Sequence, residues 1–150
     1  MFSTYRPDDV TVLLKDVTGL VTPLGTLERE RLIQSGAHYS EMLPVEYAPS
    51  EAYLRAYYDA LERYGQITAD AVVRTAEWIW REKGRTGALV SLARAGTPVG
   101  ILLRRYLRWR YQADLPHYTI SIIRDRGIDR NAMDYILARR RPGSIQFVDG

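Results

Sequence analysis

The chain has 150 residues, 46% of them hydrophobic and 26% charged, with a formal net charge of +3. That length predicts one globular domain. The absence of cysteine excludes a disulfide framework, a thiolate zinc site and a thiol nucleophile within these residues. No apolar run approaches the roughly 20 residues of a membrane span. Met1-Phe-Ser-Thr-Tyr-Arg6 lacks the basic-then-apolar pattern of a signal peptide. A cytoplasmic protein with no membrane partner is therefore expected. The pI is near 9.3, yet nucleic acid is not the expected partner. Lys15 and Lys83 are the only lysines, and the many arginines are scattered along the chain.

Residues 1–49 read as irregular, with Val10–Leu14 a short strand and Glu28–Gln34 one or two turns of helix. Within this part, Gln34–Met42 concentrates polar and titratable groups between Ile33 and Leu43. His38 is the natural general acid or base there, because imidazole titrates near neutral pH. Glu41 joins it as a catalytic candidate, and Ser35, Tyr39, Ser40 and Glu46 are candidate acceptor ligands. A structural role for His38 is the competing reading.

Residues 50–84 are predicted to be a helical pair. Ser50 caps the first helix, Tyr53, Tyr57, Leu61 and Tyr64 recur at helical spacing, and Gly65 stops it. The second runs from about Thr68 to Lys83, with Val72, Thr75, Trp78 and Ile79 on one face and Gly84 closing it. Both stripes are expected to pack in the core.

Residues 85–150 alternate strand and helix. Ala88–Ala93 is a buried strand with one polar interruption, Ser91. Gly96 makes a tight turn, with Thr97 as the N-cap and Pro98 as the first helical residue. Such a turn is either an anion site built from backbone N–H groups or an ordinary connection. Helix 98–111, strand 118–123, helix 130–140 with Asp129 as N-cap, and strand 145–148 complete two βαβ units. These predict an α/β fold with a parallel sheet. Asp149 follows the last strand, at the edge where ligands of open α/β sheets bind. A parallel strand needs covering on both sides, so the chain is expected to be truncated at its C-terminus. Asp149 as a merely solvated residue is the alternative. The basic loop Arg124–Asp129 lies after the middle strand. Arg124 or Arg126 could close over an anion there, or pair with Asp125 and Asp129.

Several blocks carry a family resemblance: Leu13-Leu-Lys-Asp16, Ile33–Pro44, Val90–Pro98, Asp114–Arg124 and Ile145–Gly150. The Leu92–Pro98 turn resembles the pyrophosphate loop of type I phosphoribosyltransferases, and Ile145–Gly150 resembles the opening of their phosphoribosyl diphosphate motif. Over nearly its full length the chain resembles the N-terminal phosphoribosyltransferase-like domain of a bacterial tellurium-resistance and stress operon family. That family often carries the label cysteine protease StiP.

The resemblance implies a sheet of the type I phosphoribosyltransferase kind and transfer of a phosphoribosyl group to a base or small acceptor. It implies phosphoribosyl diphosphate or a related nucleotide as partner, Mg²⁺ as cofactor, and products of the same operon as further partners. Arg94, Ala95, Gly96 and Arg124 would bind pyrophosphate. Asp149 would serve ribose and metal, although Gly150 stands where a second acid is usual. The pyrophosphate loop of such enzymes often holds a non-proline cis peptide. The 150 residues alone would be largely inactive. The alternatives are a cysteine peptidase, whose nucleophile would lie beyond residue 150, and a non-catalytic nucleotide sensor.

Overall fold

The computed structural model describes residues 3–150. The protein is α/β, with a four-stranded parallel sheet in the order β1-β3-β2-β6. The strands are β1 (Thr11–Val12), β2 (Ala88–Leu92), β3 (His117–Ile120) and β6 (Ile145–Val148). Among the described residues four α-helices accompany them: α1 (Thr26–Gln34), α2 (Glu51–Lys83), α3 (Gly96–Tyr111) and α4 (Arg130–Leu137). Two compact units divide the chain: one is Lys15–Arg63, and the other is the chain on either side of it.

The sheet unit follows the apolar pattern closely. β2 is the central apolar run, with Ala88, Leu89 and Val90 at 0% exposure. It pairs in parallel with β3 on one side and β6 on the other, Val90 standing opposite both Tyr118 and Phe147. One core layer joins Leu89, Leu103, Leu107 and Leu115 to Ala76 and Ile79 of α2. The other joins Val90, Tyr118 and Ile120 to Ala132 and Ile136 of α4. The two central strands, β2 and β3, thus hide both faces, as a parallel sheet requires, while Phe147 of the edge strand β6 stays exposed. Asp129 caps α4, its carboxylate accepting from the Ala132 N–H at 3.1 Å.

Several expectations need correction. The predicted helical pair is a single helix of 33 residues. Gly65 does not stop it, because one glycine inside a helix costs only about 1 kcal/mol and strong helix formers flank it on both sides. The Tyr53, Tyr57, Leu61 and Tyr64 stripe is not core: those residues are 52–64% exposed. On the C-terminal half, Ala76 and Ile79 are buried, while Trp78 is exposed.

Strand 118–123 is shorter than expected. β3 stops at Ile120, and Ile122–Ile123 (β4) turns back against Gly127–Ile128 (β5) as an antiparallel hairpin. Helix α4 ends at Leu137 rather than 140. Thr97 is not the N-cap of α3, a place held by Ala95. Instead its buried hydroxyl pairs with that of Thr119 at 2.7 Å.

The other unit is lightly built. α1 has no buried residue. Leu24 bridges the Leu43–Val45 segment, its N–H donating to Leu43 O at 2.8 Å and its carbonyl accepting from the Val45 N–H at 3.2 Å. Among the described residues, no helix is long and apolar enough to cross a membrane.

Candidate functional site

His38 is placed by the end of α1. Gly36 takes φ +98°, a conformation glycine tolerates and other residues resist. Its N–H donates to Ile33 O, and the Ala37 N–H donates to Leu32 O, both at 3.0 Å. This pair of bonds is the Schellman arrangement that closes a helix and redirects the chain. His38 follows at once and caps a short 3₁₀ turn, Tyr39–Glu41.

Within that turn, His38 Nδ1 lies 2.7 Å from Ser40 Oγ and accepts from the Ser40 N–H at 3.3 Å. The Glu41 N–H donates to His38 O at 3.0 Å. The Tyr39 ring is tilted against the imidazole, with centroids 4.6 Å apart. Nε2 has no hydrogen-bond partner among the described residues. One turn thus brings His38, Tyr39, Ser40 and Glu41 together. The result is a half-buried imidazole held at one nitrogen.

The sheet unit holds the other candidates at the carboxyl ends of its strands. Gly96, at the start of α3, packs directly on the end of β6. A Cβ there would collide with the Val148 carbonyl and lie 3.2 Å from Asp149 Cα. Gly150 packs as closely on Ala95. Gly96 is therefore required for its lack of a side chain, not for an unusual φ. Arg94, Ala95, Gly96 and Asp149 thus share one edge, with Arg94, Ala95 and Asp149 exposed. The Ala93–Arg94 peptide is cis. Arg124 sits in the β4–β5 hairpin, just past the carboxyl end of β3. Asp149 turns its Oδ1 back to accept from the Gly150 N–H at 2.9 Å. Among the described residues, no group of three or more His, Asp or Glu is placed to hold a metal ion.

Beneath that edge lies a buried polar chain that sequence reasoning missed. His117, 1% exposed, sets Nε2 2.7 Å from Ser91 Oγ and Nδ1 2.9 Å from Asp9 O. Ser91 Oγ donates to Gly96 O at 2.8 Å. The Asp9 carboxylate, 3% exposed, accepts from Arg105 Nε at 2.8 Å and also from Nη2. Burial pushes the His117 imidazole down to about 4, against the Asp9 carbonyl that favours its charged form. The Arg105 guanidinium, by hydrogen bonding, holds the Asp9 carboxyl below the usual carboxylate range. With both ring nitrogens engaged and no access from outside, His117 is a structural histidine. The available signal was Ser91, the polar interruption in an otherwise apolar strand.

Comparison with known proteins bears on what these groups do. The family model described as tellurite-like stress resistance cysteine protease StiP matches residues 3–150. A protein of Acinetobacter baylyi named cysteine protease StiP is 43% identical over 148 residues, 98% of this chain and 38% of the relative. The chain therefore spans less than two fifths of that relative's length. No solved structure matches it. Both descriptions name a cysteine protease, which overturns the expectation of a phosphoribosyltransferase and of transferase chemistry at the Arg94–Asp149 edge. The stress-linked family expected from the 33–44 and 90–98 blocks is the one found, and this chain belongs to the StiP family.

Proposed function

We propose that this chain supplies the imidazole-bearing part of a cysteine peptidase, with His38 as general base and a thiol provided from outside these 150 residues. The observation that carries the reading is the placement of His38 within a chain of the StiP family. It is the one of the two histidines that is partly exposed and has a ring nitrogen without a partner among the described residues. The chain contains no cysteine, so the nucleophile must come from elsewhere in the protein.

The chemistry asks for a base within hydrogen-bond reach of the thiol, oriented by a third group. His38 Nε2 takes the thiol proton. The thiolate attacks the scissile carbonyl, and the imidazolium returns the proton to the leaving amine. Water, deprotonated by the same nitrogen, then releases the acyl group from sulfur. Nε2 is a base only in the tautomer with the proton on Nδ1. There the contact to the Ser40 N–H gives way, and Ser40 Oγ, 2.7 Å away, accepts from Nδ1 both before and after Nε2 is protonated. Ser40 Oγ therefore fixes the ring through the cycle. The packing of the Gly96 turn against Asp149 supports a sheet of the type I phosphoribosyltransferase kind, a likeness of architecture that brings no transfer reaction with it.

The test is covalent. An electrophilic peptide probe directed at thiols, added to a longer polypeptide that includes these residues, should label one cysteine stoichiometrically. His38→Ala should slow that labelling by about 10²–10⁴-fold, the usual range for loss of a general base. Labelling at an unchanged rate in His38→Ala would remove His38 from the reaction. Absence of labelling on any cysteine would remove the peptidase reading.

A further inference from the structure

At the opposite, amino-terminal edge of the sheet lies a cavity of about 750 Å³. The end of α2, the 3₁₀ turn Gly84–Thr86 before β2, the segment after α4 and the Gly143–Ser144 turn before β6 line it. Five cations line it (Lys83, Arg85, Arg139, Arg140 and Arg141) with Glu82 as the one carboxylate among its lining residues. None of the five is in an ion pair among the described residues. By contrast, Arg104 and Arg105 pair with Asp114 and Asp9. Like charges gathered without counterions repel, and the negative ends of α2 and α4 offset only part of that.

The cations are also held in place. Lys83 Nζ donates to Gly143 O at 3.0 Å. Arg85 donates to Tyr111 O and Gln112 O at 3.1 and 3.3 Å. The Arg139 guanidinium lies 3.6 Å over the Tyr135 ring and donates to Tyr135 O at 2.9 Å. Arg140 Nε is buried with no hydrogen-bond partner. A buried donor left without a partner is costly, and a ligand oxygen would satisfy it.

We propose that this cavity binds a small oxyanion bearing several negative charges, a polyphosphate or a polycarboxylate. Guanidinium forks match both groups bidentately, and the volume is that of a small-molecule site. A nucleic-acid strand would need a groove that tracks its backbone, whereas these cations are gathered at one place, beside the ends of α2 and α4. The site is separate from the Arg94–Asp149 edge, and it stands whether or not the peptidase reading does.

Calorimetric titration of the protein with inorganic tripolyphosphate and, separately, with citrate tests it. Saturable one-to-one binding of either is expected, weakening as salt rises, and the tighter of the two identifies the class. Arg140→Gln and Arg141→Gln should each weaken binding by about tenfold or more, from loss of a charge-assisted hydrogen bond. Arg141 is exposed, so its replacement leaves the fold intact should Arg140→Gln disturb it. Arg94→Ala, at the other edge, should leave binding unchanged. The proposal is overturned by no saturable binding of either anion at millimolar concentration, by loss of binding in Arg94→Ala, or by unchanged binding in both arginine-to-glutamine variants. Preference for a single-stranded oligonucleotide over both anions would overturn it as well.

Discussion

His117 and Ser91 meet across neighbouring strands, Nε2 to Oγ at 2.7 Å, in the fully buried layer beneath α3. The Asp9 carbonyl opposite Nδ1 can only accept, so Nδ1 carries the proton. The neutral ring then offers Nε2 as an acceptor, and the single Ser91 proton serves both Nε2 and Gly96 O. An imidazolium would fill all three contacts, yet burial outweighs that gain and keeps the ring neutral.

Stability should therefore depend on pH through His117. Its folded-state value of about 4 lies below the ordinary 6.5, so between them the unfolded chain binds a proton that the folded chain does not. Stability is fully present above pH 6.5 and falls as pH drops toward 4. From pH 7 to pH 5 the loss is about 2 kcal/mol, or roughly 4–8 °C in melting temperature for a domain of this size. His117→Gln should lower the melting temperature at pH 7 and flatten its slope over this window. A wild-type melting temperature constant from pH 7 to pH 5 would contradict the neutral buried ring.

The Asp9–Arg105 pair titrates in the same sense, at lower pH. The Asp9 value is held below 3.8, so its contribution is present above that pH and is lost as pH falls through the depressed value. Arg105→Ala leaves a buried carboxylate without its fork and should cost about 1–3 kcal/mol at pH 7. Arg105→Lys, which keeps the charge but not the fork, should cost less. Urea unfolding of both variants measures the difference.

Gly100 lies over the Ser91–His117 pair. A Cβ there would collide with Ser91 Oγ and with His117 Nε2, and would stand 2.8 Å from Cε1. The helix would gain about 1 kcal/mol from alanine. Overpacking two hydrogen-bonded buried side chains costs more, about 1–3 kcal/mol plus the broken bonds. Gly100→Ala should destabilise the protein, as should Gly96→Ala, whose Cβ strikes the Val148 backbone. A melting temperature at or above wild type for either variant would show that the layer can give.

Much of the sheet unit was legible because its signals are local. Apolar runs, Gly96, Pro98 and the Asp129 cap define β2, α3, α4 and β6 without knowledge of the rest of the chain. What depends on register was not legible. Ser91 and His117 stand 26 residues apart, and only the β2–β3 pairing, Leu89 opposite His117 and Ser91 opposite Thr119, brings them together. The five-cation cavity was hidden for the same reason: Lys83 and Arg85 meet Arg139–Arg141 only once β2 and β6 lie side by side. Gly65 and the tyrosine stripe misled because helical spacing records which residues share a face, not what covers it. At the candidate site, the Gly36–Glu41 turn was readable as a polar cluster. The chemistry assigned to the Arg94–Asp149 edge came from resemblance, and the family overturned it.

Peptide hydrolysis by a longer polypeptide that includes these residues tests the central claim most directly. kcat/KM should be measured for the wild type, for His38→Ala, for Ser40→Ala and for the wild type after alkylation with iodoacetamide. Alkylation should abolish turnover, and His38→Ala should lower kcat/KM by about 10²-fold or more. Ser40→Ala should lower it less, because that side chain positions the ring without touching substrate. Turnover that survives alkylation, or is undiminished in His38→Ala, would contradict the account.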